Sequence, residues 1–289
     1  MNERNERSFL EIYDLRTGKV TTVKEFDDVI EAPNWTQDGK SLIYNTEGHL
    51  RRVDLVTGGD TPIDTGLCDN CNNDHVLSPD GRSIAVSHMT FPDGGFTSRI
   101  YIVPFDGGAP RLVAEHSPSF LHGWSPDGQT MAYCAFRDEK NGGDIYTVNA
   151  AGGEETRLTS APGLNDGPEY SPDGRHIWFN SVRTGLMQVW RMNADGSEQT
   201  QMTFDEDRNS WFPHVSPDGR KVVYLAYRKG DLEPGEHLPG KQVELKLMDA
   251  AGGAATTLVS FYGGQGTINV NSWAPDSERF AYVRYAPKG

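Results

Sequence analysis

The sequence predicts an all-β fold: a six-bladed β-propeller with four-stranded blades, whose last blade is closed by N-terminal strands pairing with C-terminal strands. Three observations predict it. A Ser-Pro-Asp-Gly tetrapeptide occurs at 78–81, 125–128, 171–174 and 216–219, and degenerate copies stand at Thr36-Gln37-Asp38-Gly39 and Ala274-Pro275-Asp276-Ser277. The aspartates of these copies recur at intervals of roughly 42 to 47 residues, lengthening to about 58 before the last, which suits one four-stranded blade per copy. Composition agrees, with 32 Gly and 17 Pro against 36% hydrophobic residues and few stretches of helical period.

Each copy has the chemistry of a hairpin turn. Pro presets φ at the second position, Asp bonds back to its own backbone, and Gly accepts φ > 0. A strand therefore ends before the turn on one large apolar residue: Trp35, Leu77, Trp124, Tyr170, Val215 and Trp273. A second strand follows it with the alternation of a half-buried strand, as Leu42/Tyr44, Ile84/Val86, Met131/Tyr133, Ile177/Phe179, Val222/Tyr224 and Phe280/Tyr282. Third strands are expected around Ile100-Tyr101, Ile145-Tyr146, Val189-Trp190 and Leu245. Short fourth strands are expected at Arg111-Leu112-Val113, Arg157-Leu158-Thr159 and Thr257-Leu258-Val259. The last copy supplies only two strands. Leu10 to Leu15, a Thr17-Gly18 turn and Val20 to Val23 match the two that are missing, so a blade shared by both ends latches the ring and removes a sheet edge.

The repeats run through the chain, so residues 1–289 read as a single β-propeller domain, a length that one unit reaches only if the fold is modular. The net charge of −14 repels phosphate backbones and anionic lipid surfaces, which argues against nucleic acid as a partner. No stretch approaches the ~20 apolar residues of a membrane span, and Met1 to Arg7 are polar with no signal-peptide run behind them. The expectation is a monomer without membrane insertion, cytoplasmic as numbered and periplasmic if the numbered chain is a processed form. Cys134 falls in an expected strand, as a core thiol does. Cys68 and Cys71 leave three readings open: a local disulfide, a partial metal site with His75, or two free thiols.

The run of Ser-Pro-Asp-Gly, a β-strand, Ile-Tyr and a turn such as Asn193-Ala194-Asp195-Gly196 resembles the propeller repeats of the TolB family and of the N-terminal propellers of prolyl-oligopeptidase-like peptidases. No segment corresponds to the extra N-terminal domain of TolB or to a hydrolase domain with a Gly-x-Ser-x-Gly elbow. The resemblance implies the propeller fold. Because TolB presents its propeller to a lipoprotein partner and to peptides, it also implies a binding role. Some related propellers are polysaccharide lyases that use channel-mouth His and a metal, which implies the competing reading, an enzyme acting on a carbohydrate or peptide-like ligand. Fold analogy alone does not decide between them.

Functional loops of a propeller gather where the rigid blades present them, around one mouth of the channel. Counting back from the large apolar anchor, the fourth position before it reads Glu31, Asn73, Phe120, Asp166, Trp211 and Asn269. The second reads Pro33, His75, His122, Pro168, Pro213 and Asn271. Residues two apart on a strand share a face, so these positions are expected to ring the mouth, with His214 out of phase. A ring of carboxylates, imidazoles and aromatics is the material of a pocket for a protein segment or small molecule, or for a divalent metal ion. Arg137, Arg183 and Arg228 share one position in three successive copies. They stand either as an arc for an acidic partner or as charge pairs with neighbouring loops. Two long loops on the same face, Met89 to Ser98 with Phe91 and Phe96, and Arg228 to Gln242 with His237, are candidate partner surfaces. The second is also long enough to fold over the mouth.

Overall fold

The computed structural model describes residues 4–138 and 142–288. The blades follow the chain. Blade one comprises Glu31–Trp35, Ser41–Thr46, His49–Asp54 and Asp60–Pro62; blade two, Cys71–Leu77, Ser83–Thr90, Thr97–Pro104 and Arg111–Ala114. Blade three comprises Ser119–Trp124, Thr130–Asp138, Gly142–Asn149 and Thr156–Arg157; blade four, Asn165–Tyr170, His176–Ser181, Gln188–Asn193 and Thr200–Gln201. Blade five comprises Arg208–Val215, Lys221–Arg228, Lys241–Asp249 and Thr256–Gly263. Among the described residues the one helical element is a 3-10 turn, Pro92–Gly94.

Both chain ends build blade six. Arg279–Pro287 pairs with Glu6–Asp14, which pairs in turn with Lys19–Phe26. The register sets Leu10 opposite Val283 and Tyr13 opposite Phe280, whose rings stack at 5.4 Å. The innermost position is held by the segment through Trp273, which joins Phe280 by a single bridge.

The Asp-centred turns explain where the inner strands stop. In the third copy the Ser125 hydroxyl donates to Asp127 Oδ1 at 2.5 Å and accepts from the Thr130 amide at 2.9 Å, while the Gln129 amide also reaches Oδ1 at 3.0 Å. Gly128 stands at φ +71°, a conformation that an L side chain rarely adopts. Burial follows the repeat: all twelve alternating residues of the second strands, Leu42/Tyr44 to Phe280/Tyr282, are at most 1% exposed. These side chains fill the spaces between blades, and the described residues form six apolar clusters, one at each blade interface. The ring thus needs every neighbour, since each cluster draws on two blades.

Candidate functional site

The inner strands carry an irregularity on the mouth side of their anchors. One residue is inserted between Glu31 and Asn34, between Leu121 and Gly123, between Asp166 and Glu169 and between Trp211 and His214, and two between Cys71 and His75. Three of these bulges hold a residue at positive φ directly before a proline: Ala32 (53°) before Pro33, Gly167 (63°) before Pro168, and Phe212 (52°) before Pro213. Proline has no N–H for a ladder and sits in a paired strand where pairing is interrupted. A one-residue insertion shifts the alternation and a two-residue insertion interrupts it locally, so even spacing from the anchor does not by itself decide which face a side chain takes.

Below the bulges, residues next to the anchors turn inward and stitch the blades together. Glu169 of blade four accepts from the Val215 amide (2.8 Å) and the Asn271 carboxamide (2.7 Å) through Oε1, and its Oε2 lies 2.6 Å from His214 Nδ1. His214 Nε2 meets the Ile268 carbonyl at 2.7 Å and must donate, because a carbonyl can only accept. The Asn34 carboxamide donates to the Asn271 carbonyl at 2.6 Å and accepts from the Leu77 amide at 3.3 Å. Asn271 and His214 thus belong to a buried belt joining blades one, two, four, five and six.

Above the belt lies a cavity of about 460 Å³, open to solvent, whose walls include Asn72, Asp74, Phe120, His122, Asp166, Phe212, His237 and Asn269. His122 Nε2 stands 3.2 Å from Asp166 Oδ1, and both side chains are at least nine-tenths buried. Burial opposes the charge on the His122 imidazole, but Asp74 and Asp166 overcome it and hold its pKa up at about 9. Burial likewise raises Asp166, while His122 and the Gly167 amide outweigh it and bring it to about 2. Burial raises Asp74 as well, with the Asp166 charge adding to the effect and His122 opposing it. The His122 ring stacks on Phe212 at 5.8 Å, and the loop Arg228 to Gln242 leans over this side to place His237 against Trp211 (4.5 Å) and Phe212 (5.3 Å). The loop narrows the mouth and adds Gly235 and His237 to its wall.

Of the mouth positions read from spacing, Phe120, His122, Asp166 and Asn269 line this cavity. Glu31 is not among the residues of its wall; burial raises its pKa to about 7 against the pull of Arg4, whose Nη1 is 3.0 Å away. The others lie elsewhere. His75 is fully buried and driven down to about 4 by that burial, Trp211 is sealed in the blade-five core, Asn73 is buried outside the cavity wall, and Asn271 is in the belt. Spacing missed Asn72, Asp74 and Phe212 in the cavity wall and Glu169 in the belt; Pro168 and Pro213, prolines inside strands, were a signal for the irregularity beside Glu169 and Phe212, whereas the blade-two strand Cys71–Leu77 has no proline to mark Asn72 and Asp74.

Arg137 forms an ion pair with Glu155 at 2.8 Å and lies over the Tyr146 ring, and Arg183 bonds Asn165 and Gln199 and lies over Trp190. Arg228 is exposed. All three cysteines are free and buried; burial lifts the Cys68 thiol to about 12, and Cys71 Sγ faces the Cys68 carbonyl at 3.3 Å. The donors do not assemble for a cation. Among the described residues no group of three or more His, Cys, Asp or Glu is placed to hold a metal ion, and His122 Nε2 is already engaged by Asp166.

The model of the TolB β-propeller domain matches residues 75–237. An uncharacterised protein of Agrobacterium fabrum is 48% identical over 283 residues, which is 97% of this chain and 93% of that one. The Tol-Pal system protein TolB of Francisella tularensis is 26% identical over 216 residues, 72% of this chain and 48% of that protein. A solved structure from Agrobacterium tumefaciens provisionally described as TolB superposes with a TM-score of 0.91 at 47% identity, covering 98% of this chain and 99% of that one. With the match across more than half its length and a relative this similar along nearly all of it, the chain belongs to the TolB β-propeller domain family.

Proposed function

We propose that this propeller is a non-catalytic binding module that receives a segment of another protein or a small molecule at the channel mouth and the loops around it. The observation that carries the reading is the meeting of side chains from blades two to six on one open cavity: Asp74, His122, Asp166, Phe212 and Asn269. Concave sites that combine apolar walls with a few converging polar groups are where ligands bind. The net charge of −14 disfavours nucleic acid, and no helix among the described residues is long and apolar enough to cross a membrane. Membership in the TolB propeller family adds support by analogy.

The enzymatic alternative finds less support in the geometry. A general base works best with a pKa near the operating pH, whereas His122 is held at about 9 and paired with Asp166. His75, the other imidazole read from the repeat, is enclosed between blades. The test is selection from a random peptide display library on the immobilised chain, followed by counter-screening on Phe120→Ala and Asp166→Asn. The reading expects enriched sequences that lose binding to these variants. Enrichment that both variants retain in full would move the site away from the mouth.

A further inference from the structure

Four phenylalanine rings run in file from the outer rim into the cavity. Phe91 and Phe96 stand 5.7 Å apart, Phe96 and Phe120 6.3 Å, and Phe120 and Phe136 6.0 Å. Phe91, Phe96 and Phe136 are 59%, 45% and 40% exposed. Single exposed apolar residues are ordinary, but a contiguous exposed patch marks an interaction site. Because Phe120 and Phe136 also wall the cavity, the ridge and the cavity form one surface.

The cavity floor lacks two partners. Asp74 is 4% exposed, takes a 2.5 Å hydrogen bond from Asn72, and makes no ion pair within 4.0 Å among the described residues. The neighbouring Asp166 is committed to His122. The nearest charged neighbour, the His122 imidazolium, is paired directly with Asp166 and shared between the two carboxylates, so a second cation brought to Asp74 is favourable. Asn269 is 1% exposed; its Oδ1 accepts from the Gly266 amide at 2.7 Å, but its Nδ2 has no acceptor among the described residues. An unused donor in a cavity wall suits a carbonyl oxygen. The aromatic rings along the way favour a cation and an apolar neighbour alike.

Resting on the binding-module reading above, we propose that this surface docks an extended segment of a partner protein in which a Lys or Arg adjoins an aromatic or branched apolar residue. The basic side chain enters the cavity towards Asp74, a backbone carbonyl of the segment accepts from Asn269, and the apolar residue lies on Phe96 and Phe120.

Calorimetric titration of the full chain with acetyl-Gly-Phe-Gly-Lys-Gly-amide, and with norleucine or Glu in place of Lys, tests this. The Lys peptide should bind at least about tenfold more tightly than the norleucine peptide, and the Glu peptide most weakly. Asp74→Asn, isosteric and checked for an unchanged melting temperature, should erase the preference for Lys. Phe96→Ala, at an exposed site, should weaken the Lys and norleucine peptides alike by about threefold to tenfold. Equal affinity for Lys and norleucine, or a Lys preference that survives Asp74→Asn, would overturn the proposal. So would phenethylamine binding as tightly as the peptide, since the site would then be for a small amine. If the display library yields binders without basic residues, the ligand chemistry is wrong and the binding module stands. If it yields none, both fall.

Discussion

At one end of the inner strands stands nearly the same turn six times; at the other, the side chain differs from blade to blade. On the turn side Ser78, Ser125, Ser171 and Ser216 each donate to an aspartate two residues on, at 2.5–2.7 Å, and Thr36 does the same to Asp38. On the mouth side Ala32, Asp74, Leu121, Gly167, Phe212 and Val270 occupy equivalent places, three of them at positive φ. The difference separates two kinds of demand. Turns answer a local problem that recurs with each hairpin, so one solution repeats. A mouth answers one shape, to which each blade contributes a different side chain.

The sharpest test of that division removes the ring closure on which both ends depend. Deleting residues 4–26 takes away Leu10 and Tyr13, which pack against Val283 and Phe280, and exposes edges on blade six. The expected loss is the full folding free energy, about 5–15 kcal/mol, read as absence of a cooperative melt and association on a sizing column. A truncated monomer with the same melting temperature would show that the six interfaces hold without the latch.

Next in size comes the belt between the two ends. Glu169→Ala leaves the His214 ring, the Val215 amide and the Asn271 carboxamide without their acceptor and should cost about 3–5 kcal/mol in urea unfolding. Glu169→Gln should cost about 1 kcal/mol, since its oxygen can serve Val215 and Asn271 while its amide donates to a neutral His214. Equal losses from the two changes would mean that charge, not hydrogen-bond pairing, holds the belt.

At the mouth the comparison becomes a matter of pH. His122 sits above its ordinary 6.5 at about 9, so the stability it lends is full below about 6.5 and is lost as pH rises through 9. Asp166 sits below its ordinary 3.8 at about 2, so its share is present above about 4 and is lost as pH falls through 2. Both are intact between those limits. Proton NMR of the His122 ring should show the raised pKa, and Asp166→Asn should bring it towards the ordinary value at a loss of about 1–3 kcal/mol near pH 6. An unchanged His122 titration in that variant would assign the shift to Asp74 instead.

How much of this the sequence disclosed follows the same division. The fold was legible because Asp38, Asp80, Asp127, Asp173, Asp218 and Asp276 mark each turn, and because pairs such as Ile177/Phe179 alternate without interruption in the second strands. The cavity wall was legible at Phe120, His122, Asp166 and Asn269. It was lost where inserted residues bent the strand: Asp74 lines the cavity while adjacent His75 is enclosed, and Phe212 displaces Trp211. Repetition reports local geometry, whereas facing across a channel depends on how six strands bend relative to one another. Pro33, Pro168 and Pro213 mark three of these places, since each removes a ladder donor where its strand bulges, but the blade-two strand that carries Asp74 has no proline.

The smallest expected effect lies at the exception on the turn side. In the sixth copy Ala274 stands where the others have a hydroxyl. The Arg279 amide, whose counterpart Thr130 bonds Ser125 Oγ at 2.9 Å, instead reaches Asp276 Oδ1 at a longer 3.2 Å. The backbone is otherwise the same: Ala274 N donates to the Arg279 carbonyl at 2.8 Å, as Ser125 N does to that of Thr130. A serine at 274 therefore has its acceptor, its donor and its backbone already in place, and buried Ser216 shows that the interior tolerates the hydroxyl. Ala274→Ser should stabilise by up to about 1 kcal/mol, and Ser125→Ala should destabilise by a similar amount, in matched urea titrations. Neither change should alter peptide binding, because both lie at the end of the inner strand away from the cavity. A destabilised Ala274→Ser chain would show that the sixth turn follows a packing rule of its own, set by the blade that both chain ends share.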